Sequence, residues 1–222
     1  MKNKKDNNIF LTYLLLTFII ICSIFKYKTM FIDPNNVLEV NVSNLVYPFT
    51  FLFTILLFRK SNFKDAHKII IKITLTVLIF TLVVSLLNSL PGSYYNRETD
   101  LALKSVLTPN YFMIGSNPIY YPDILSTLSF TLLFYFSHIL LLILYEAMEP
   151  YTYKFVAFSL SMFIPYALDT ICNTTIIGTF DNIEFTKLIT NLTSNFVLVV
   201  IYSIFITLLY LLFSRKKVRS KH

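Results

Sequence analysis

The chain has 222 residues, of which 55% are hydrophobic and only 14% charged, with a mean hydropathy of +0.65. A water-soluble domain must show solvent a polar surface and carries about 25% charged residues, so this composition excludes an ordinary soluble fold. The net charge of +7 sits in short runs between apolar stretches, the pattern of membrane flanks rather than of a nucleic-acid interface, so no nucleic acid is expected as a partner.

The chain opens with Lys2, Lys4 and Lys5 before an apolar run from Ile9 to Phe25. The start looks like a signal peptide, but Lys26-Tyr27-Lys28 follows at once without a small-residue cleavage pattern, so an uncleaved first helix is expected. Crossing the hydrocarbon core takes about 20 mostly apolar residues. Spans are expected near 9–25, 44–58, 69–90, 124–144, 155–177 and 188–213, in one transmembrane domain over 1–222. The stretch 92–123 is polar and rich in Asn, Pro and Tyr, and is read as an extracellular loop. The fold class is therefore an all-α integral membrane protein with six transmembrane helices.

Lysine and arginine counts set the orientation. With the N-terminus inside, the inner segments hold thirteen of these residues and the outer segments five. The asymmetry places both termini in the cytoplasm, which requires an even number of spans. The expected location is a bacterial cytoplasmic membrane, with the lipid bilayer as partner and a monomer or a homodimer both open. Tyr47-Pro48 in the second span and Pro165-Tyr166 in the fifth occupy corresponding places of a 3+3 arrangement, a faint sign of a pseudo-repeat.

Asp169 carries the most information. It lies inside the fifth span among apolar residues, where a charge costs several kcal/mol unless it faces the bundle interior or water. Pro165, Tyr166 and Asn173 share its helical face. His138 lies in the middle of the fourth span, with Tyr135 and Thr131 on one side of it. Its imidazole is read either as a ring that binds a heterocycle or carries a proton, or as a neutral bridge to a neighbouring helix. The second span presents Asn44, Tyr47, Phe51 and Thr54, and the sixth Asn191, Asn195 and Tyr202. Amides and phenols suit a flat polar ring, and they also join helices with no ligand at all.

Other chemistry finds little footing. Cys22 and Cys172 lie in apolar stretches without CxxC spacing, and His138 has no second ligand at metal spacing, so no metal and no cofactor is expected. Sequons begin at Asn41, Asn173 and Asn191, and are read as chance. With three glycines and no GxSxG, Walker or HExxH motif, neither an enzyme nor an ATPase is expected.

The stretch Leu45-Val46-Tyr47-Pro48-Phe49-Thr50-Phe51-Leu52-Phe53-Thr54, followed by a basic loop and the long third span, resembles the queuosine-precursor transporter family, formerly described as putative vitamin uptake transporters. The likeness runs loosely over residues 40–213. It implies six helices and import of a 7-deazaguanine base such as preQ0 or preQ1 by a secondary transporter. The family's Asp-Thr pair in the fifth helix is matched by Asp169-Thr170, and His138 stands where the family has Gln. The chain departs from the pattern at Ile55, Leu141 and Asn195, where the family carries acidic, acidic and basic residues, and Leu56-Leu57-Phe58-Arg59 replaces an acidic segment. The helical faces and the resemblance together give an expected substrate site of Asp169, Thr170, His138, Tyr47, Thr54, Asn173 and Asn195. Two rivals are the substrate-binding subunit of an energy-coupling-factor vitamin importer, and a cell-envelope assembly protein that transports nothing. The absence of Ala and Gly from 9–25 counts against the first, whose docking helix uses small residues.

Overall fold

The computed structural model describes residues 2–25, 29–31, 39–89, 113–114, 117–118, 124–180 and 184–215. Helices dominate them. In chain order they are α1 (Lys2–Phe25), α2 (Ser43–Val46), α3 (Pro48–Phe58), α4 (Phe63–Ser89), α5 (Ile124–Met148), α6 (Lys154–Phe180) and α7 (Phe185–Arg215). Two short antiparallel ladders join Thr29–Phe31 to Glu39–Asn41 and Met113–Ile114 to Asn117–Pro118. The rest of the expected loop 92–123 lies outside the described residues.

Among the described residues four helical stretches are long and apolar enough to cross a membrane: Phe63–Val83, Leu128–Met148, Lys154–Ile176 and Phe185–Phe213. Two shorter apolar helices, Asn8–Ser23 and Ser43–Phe58, accompany them. The boundaries differ from the expected ones chiefly at α1, which begins at Lys2 rather than 9, and at α4. This helix starts at Phe63 rather than 69 and takes Lys64, Asp65, His67 and Lys68 into its first turns. Asn62 caps it, its side-chain oxygen accepting from the Asp65 backbone N–H at 2.8 Å.

The pattern of exposure is that of a bundle in lipid. Along α4 the buried residues are Ala66, Ile70, Ile73, Val77 and Thr81, one stripe at helical spacing. The opposite face exposes Ile71, Leu75, Ile79 and Val83. A soluble helix would place polar residues there. α7 likewise exposes Val197, Ile201, Ile204, Leu208 and Leu212.

The centre of the bundle is α3. It touches α1, α4, α5, α6 and α7, and Pro48, Thr50, Phe51, Leu52, Thr54, Ile55 and Leu57 are all buried. α5 and α6 pack as an antiparallel pair, as do α6 and α7. The packing brings the end of α3, the end of α5 and the end of α7 to one place. There Tyr145 and Tyr210 join hydroxyls at 3.0 Å, and the Arg59 guanidinium lies 5.5 Å from the Tyr210 ring centroid. Lys154, which opens α6, pairs with Glu149 at 3.7 Å.

Candidate functional site

The site begins with a proline. Tyr47 has helical dihedrals (φ −54°, ψ −41°), so α2 runs into α3 almost without a bend. Pro48 has no N–H, and the carbonyl four residues back, that of Asn44, therefore loses its usual donor. Tyr166 of α6 supplies the replacement, its hydroxyl donating to the Asn44 carbonyl at 3.2 Å. The Asn44 side chain reaches the other way and donates to the Asn195 Oδ1 of α7 at 2.8 Å. Asn195 in turn points its amide nitrogen at the Thr174 hydroxyl, at 3.5 Å. One short helix thus ties α6 and α7 to the core.

His138 of α5 meets α3 one turn further along. Its Nδ1 is 2.9 Å from the Phe134 carbonyl and its Nε2 is 3.0 Å from the Thr50 hydroxyl. A carbonyl only accepts, so Nδ1 carries the proton and Nε2 of the neutral ring accepts from Thr50. The Thr50 hydroxyl also lies 2.6 Å from the Tyr47 carbonyl. It has a single hydrogen, so it serves one of the two at a time. The imidazole stacks on Phe51, with centroids 4.7 Å apart and planes 6° apart. Nδ1 and one ring face are therefore used within the protein, and Nε2 shares the Thr50 hydrogen with the Tyr47 carbonyl. His138 thus bridges α5 and α3, the second of the two readings of its imidazole. Tyr135 does not join it, and pairs instead with His67 of α4 at 3.0 Å.

Asp169 is 5% exposed. It lies about 22 Å along α6 from Lys154, at about 1.5 Å per residue. Its Oδ1 accepts from the Ser137 hydroxyl of α5 at 3.1 Å. Among the described residues no lysine or arginine pairs with it. Tyr47, Tyr166 and the Cys22 thiol of α1 are its electrostatic neighbours. The Tyr47 hydroxyl lies beside Ser137 and the Asp169 carboxyl, yet falls short of hydrogen-bonding geometry to either. Cys22 directs its thiol at the Ser43 carbonyl, 3.8 Å away.

Five buried side-chain atoms lack a hydrogen-bond partner among the described residues, and three of them are the hydroxyls of Tyr47, Thr54 and Thr170. A buried hydroxyl without a partner costs about 1–3 kcal/mol. Such a hydroxyl marks a place where water or a ligand completes the bonding. Aromatic rings surround that of Tyr47. Tyr47 lies 5.3 Å from Phe51, 6.2 Å from Tyr166, 5.9 Å from His138 and 6.5 Å from Phe130.

Of the residues expected from the sequence, Tyr47, His138 and Asp169 come together, and Thr170 and Asn195 are buried. Thr54 is buried one turn beyond Thr50 on α3. Asn173 is not part of the cluster: it is half-buried, and Thr174 makes the contact to Asn195. Ser137, Thr50, Cys22 and the Asn44 carbonyl escaped the sequence reading. Small hydroxyls and thiols in apolar helices are too common to mark a site. The Asn44 carbonyl, by contrast, was open to deduction from Pro48 four residues on. No group of three or more His, Cys, Asp or Glu able to hold a metal is found among the described residues. Comparison with protein-family models, with characterised proteins and with solved structures found no match in any of the three.

Proposed function

We propose that the chain is a secondary transporter with six membrane-spanning helices and both termini in the cytoplasm of a bacterium, importing a small planar heterocycle. A queuosine-precursor base of the 7-deazaguanine type is the first candidate. The observation that carries this reading is the buried Asp169 carboxyl, bonded to Ser137, with the partnerless Tyr47 hydroxyl beside it. A bundle needs buried polar groups to join its helices, but such groups bond each other, as Asn44 and Asn195 do. An unspent hydroxyl beside a carboxyl that no ion pair holds among the described residues suits a ligand with N–H and C=O groups at its edge. The rings of Tyr47, Phe51 and Tyr166 suit its faces.

The orientation rests on the basic residues. Arg59, Lys64 and Lys154 lie at the end of the bundle where Lys2, Lys4, Lys5 and Arg215 also fall by helix direction. That end is the cytoplasmic one under the positive-inside rule. Import then needs no ATPase of the chain's own, and the protein acts as a carrier rather than an enzyme.

The test is uptake in a bacterial strain that lacks both queuosine synthesis and its own precursor importer. The protein is expressed, preQ0 or preQ1 is fed at low concentration, and queuosine in tRNA is read by boronate gel shift. The expected result is a restored shift that Asp169→Ala abolishes. No shift from protein shown to be in the membrane, or a shift indifferent to Asp169→Ala, overturns the reading.

A further inference from the structure

The outer face of α4 changes chemistry halfway along. Lys64, Lys68, Lys72, Leu75, Ile79 and Val83 follow one another at spacings of 4, 4, 3, 4 and 4, which at about 100° per residue makes one stripe. All six are exposed. Ala66, Ile70, Ile73 and Val77 are buried on the opposite side, so the stripe points away from α1, α3 and α5, the helices against which α4 packs. Its first half is cationic and its second half apolar.

The three lysines lie inside Phe63–Val83, a stretch long and apolar enough to cross a membrane. Charged residues in such a stretch ordinarily face the bundle interior or pair with one another. These do neither. Among the described residues no acidic side chain pairs with them, and Asp65, the only acid in α4, flanks the stripe without an ion pair. Ammoniums at i, i+4 repel one another unless an anion lies between them. Side chains on a helix lean toward its N-terminus. For α4 that is the direction of the membrane surface at the Arg59 end of the bundle, so the Lys72 stem can run up the stripe and bring its ammonium toward that of Lys68 at headgroup level.

We infer that this face of α4 binds a phospholipid with a net negative headgroup, of the phosphatidylglycerol type. Its phosphate bridges the Lys68 and Lys72 ammoniums, Lys64 adds the outer charge, and an acyl chain lies along Leu75, Ile79 and Val83. The order of the stripe, cationic and then apolar, is the order of such a lipid from head to tail. An acidic peptide would answer the lysines and leave the apolar half bare. A second copy docked by the same face would set lysine against lysine. The inference needs only that α4 lies in a bilayer, and is independent of what the buried cluster around Asp169 binds.

The chain has no tryptophan, so Ile79→Trp puts a single reporter on the apolar half of the stripe. Ile201→Trp puts one on the exposed face of α7, fourteen residues from both Lys187 and Arg215. Each full-length protein is reconstituted in phosphatidylcholine with brominated phosphatidylglycerol or brominated phosphatidylcholine, and quenching of tryptophan emission gives the relative binding constant at that position. A lysine near the headgroups is worth about fivefold. A preference for phosphatidylglycerol of about tenfold or more is therefore expected at 79, and none at 201. Lys68→Gln with Lys72→Gln should remove it, and Lys68→Arg with Lys72→Arg should keep it. Equal quenching by the two lipids at 79, the same preference at 201, a preference that survives the glutamine pair, or one lost equally with the arginine pair overturns the inference. So does a reporter at 79 shielded from both brominated lipids, the sign that a protein or a second copy covers the face.

Discussion

Replacing Tyr166 with Phe removes one oxygen from the core and leaves the ring in place. Tyr166 is fully buried, and its hydroxyl is the donor that the Asn44 carbonyl lost to Pro48. Leaving a buried carbonyl without a donor costs about 1–3 kcal/mol. Interhelical hydrogen bonds in membranes average nearer 0.6 kcal/mol, because the unfolded chain in lipid finds partners too. A loss of about 1–2 kcal/mol is expected, toward the upper part of that span, because the carbonyl sits at a helix break with no backbone substitute.

The control is Pro48→Ala. Tyr47 already has helical dihedrals, so an alanine at 48 places its N–H where the Asn44 carbonyl expects one. It also relieves the clash that disfavours a helical residue before proline. In that background Tyr166→Phe should cost less than about 0.5 kcal/mol, and the cycle should give a coupling of about 1 kcal/mol. Reversible unfolding in mixed detergent–SDS micelles, followed by far-ultraviolet circular dichroism, measures all four proteins. Equal costs of Tyr166→Phe in both backgrounds would refute the claim that the tyrosine stands in for the missing amide.

The hydroxyl pair of Tyr145 and Tyr210, 3.0 Å apart, gives a second cycle. Tyr145→Phe, which leaves the Tyr210 hydroxyl without this partner, should cost about 0.5–1.5 kcal/mol; Tyr210→Phe should cost less, because the Tyr145 hydroxyl keeps Glu149 Oε1 at 3.4 Å, and the double change should cost less than their sum. Additive losses in the same unfolding assay would show that the two oxygens do not bond. His138→Phe keeps a ring against Phe51 and lets Thr50 turn wholly to the Tyr47 carbonyl, so it should cost about 1 kcal/mol. His138→Ala opens a cavity as well and should cost about 3 kcal/mol. Thermal melting in detergent ranks them, and equal melting points would deny the bridging role.

How much of this was legible in the sequence depends on how local the cause is. The apolar runs of α5, α6 and α7 are set by the bilayer's thickness, so their approximate places follow from counting. The start of α4 does not, because Lys64 and Lys68 belong to the helix while lying outside any apolar window. Asp169 was legible as an exception to its surroundings. Its companions were not, because they depend on which helices flank α6. Asp169 faces Ser137 on α5, whereas Thr174 faces Asn195 on α7. These residues are five apart, about 140° around the helix, so α6 buries two faces at once. A rule that follows one stripe from Asp169 arrives at Asn173 and misses Thr174.

Pro48 shows where such reasoning gains reach. The sequence alone states that the Asn44 carbonyl has lost a donor, because that follows from the chemistry of proline and a count of four. It does not state who replaces it. Tyr166 does so, one residue after the other proline buried in a helix, and the rings of Tyr47 and Tyr166 lie 6.2 Å apart. These two tyrosines thus belong to the same buried group as Asp169. The backbone defect and the polar site are therefore not independent features. Tyr166 repairs α3 with its hydroxyl and borders the carboxyl with its ring, which makes the alignment of α3 against α6 a condition for the geometry around Asp169. A substitution at Pro48 or Tyr166 should on this argument disturb ligand binding even though neither residue contributes a free polar group to the site.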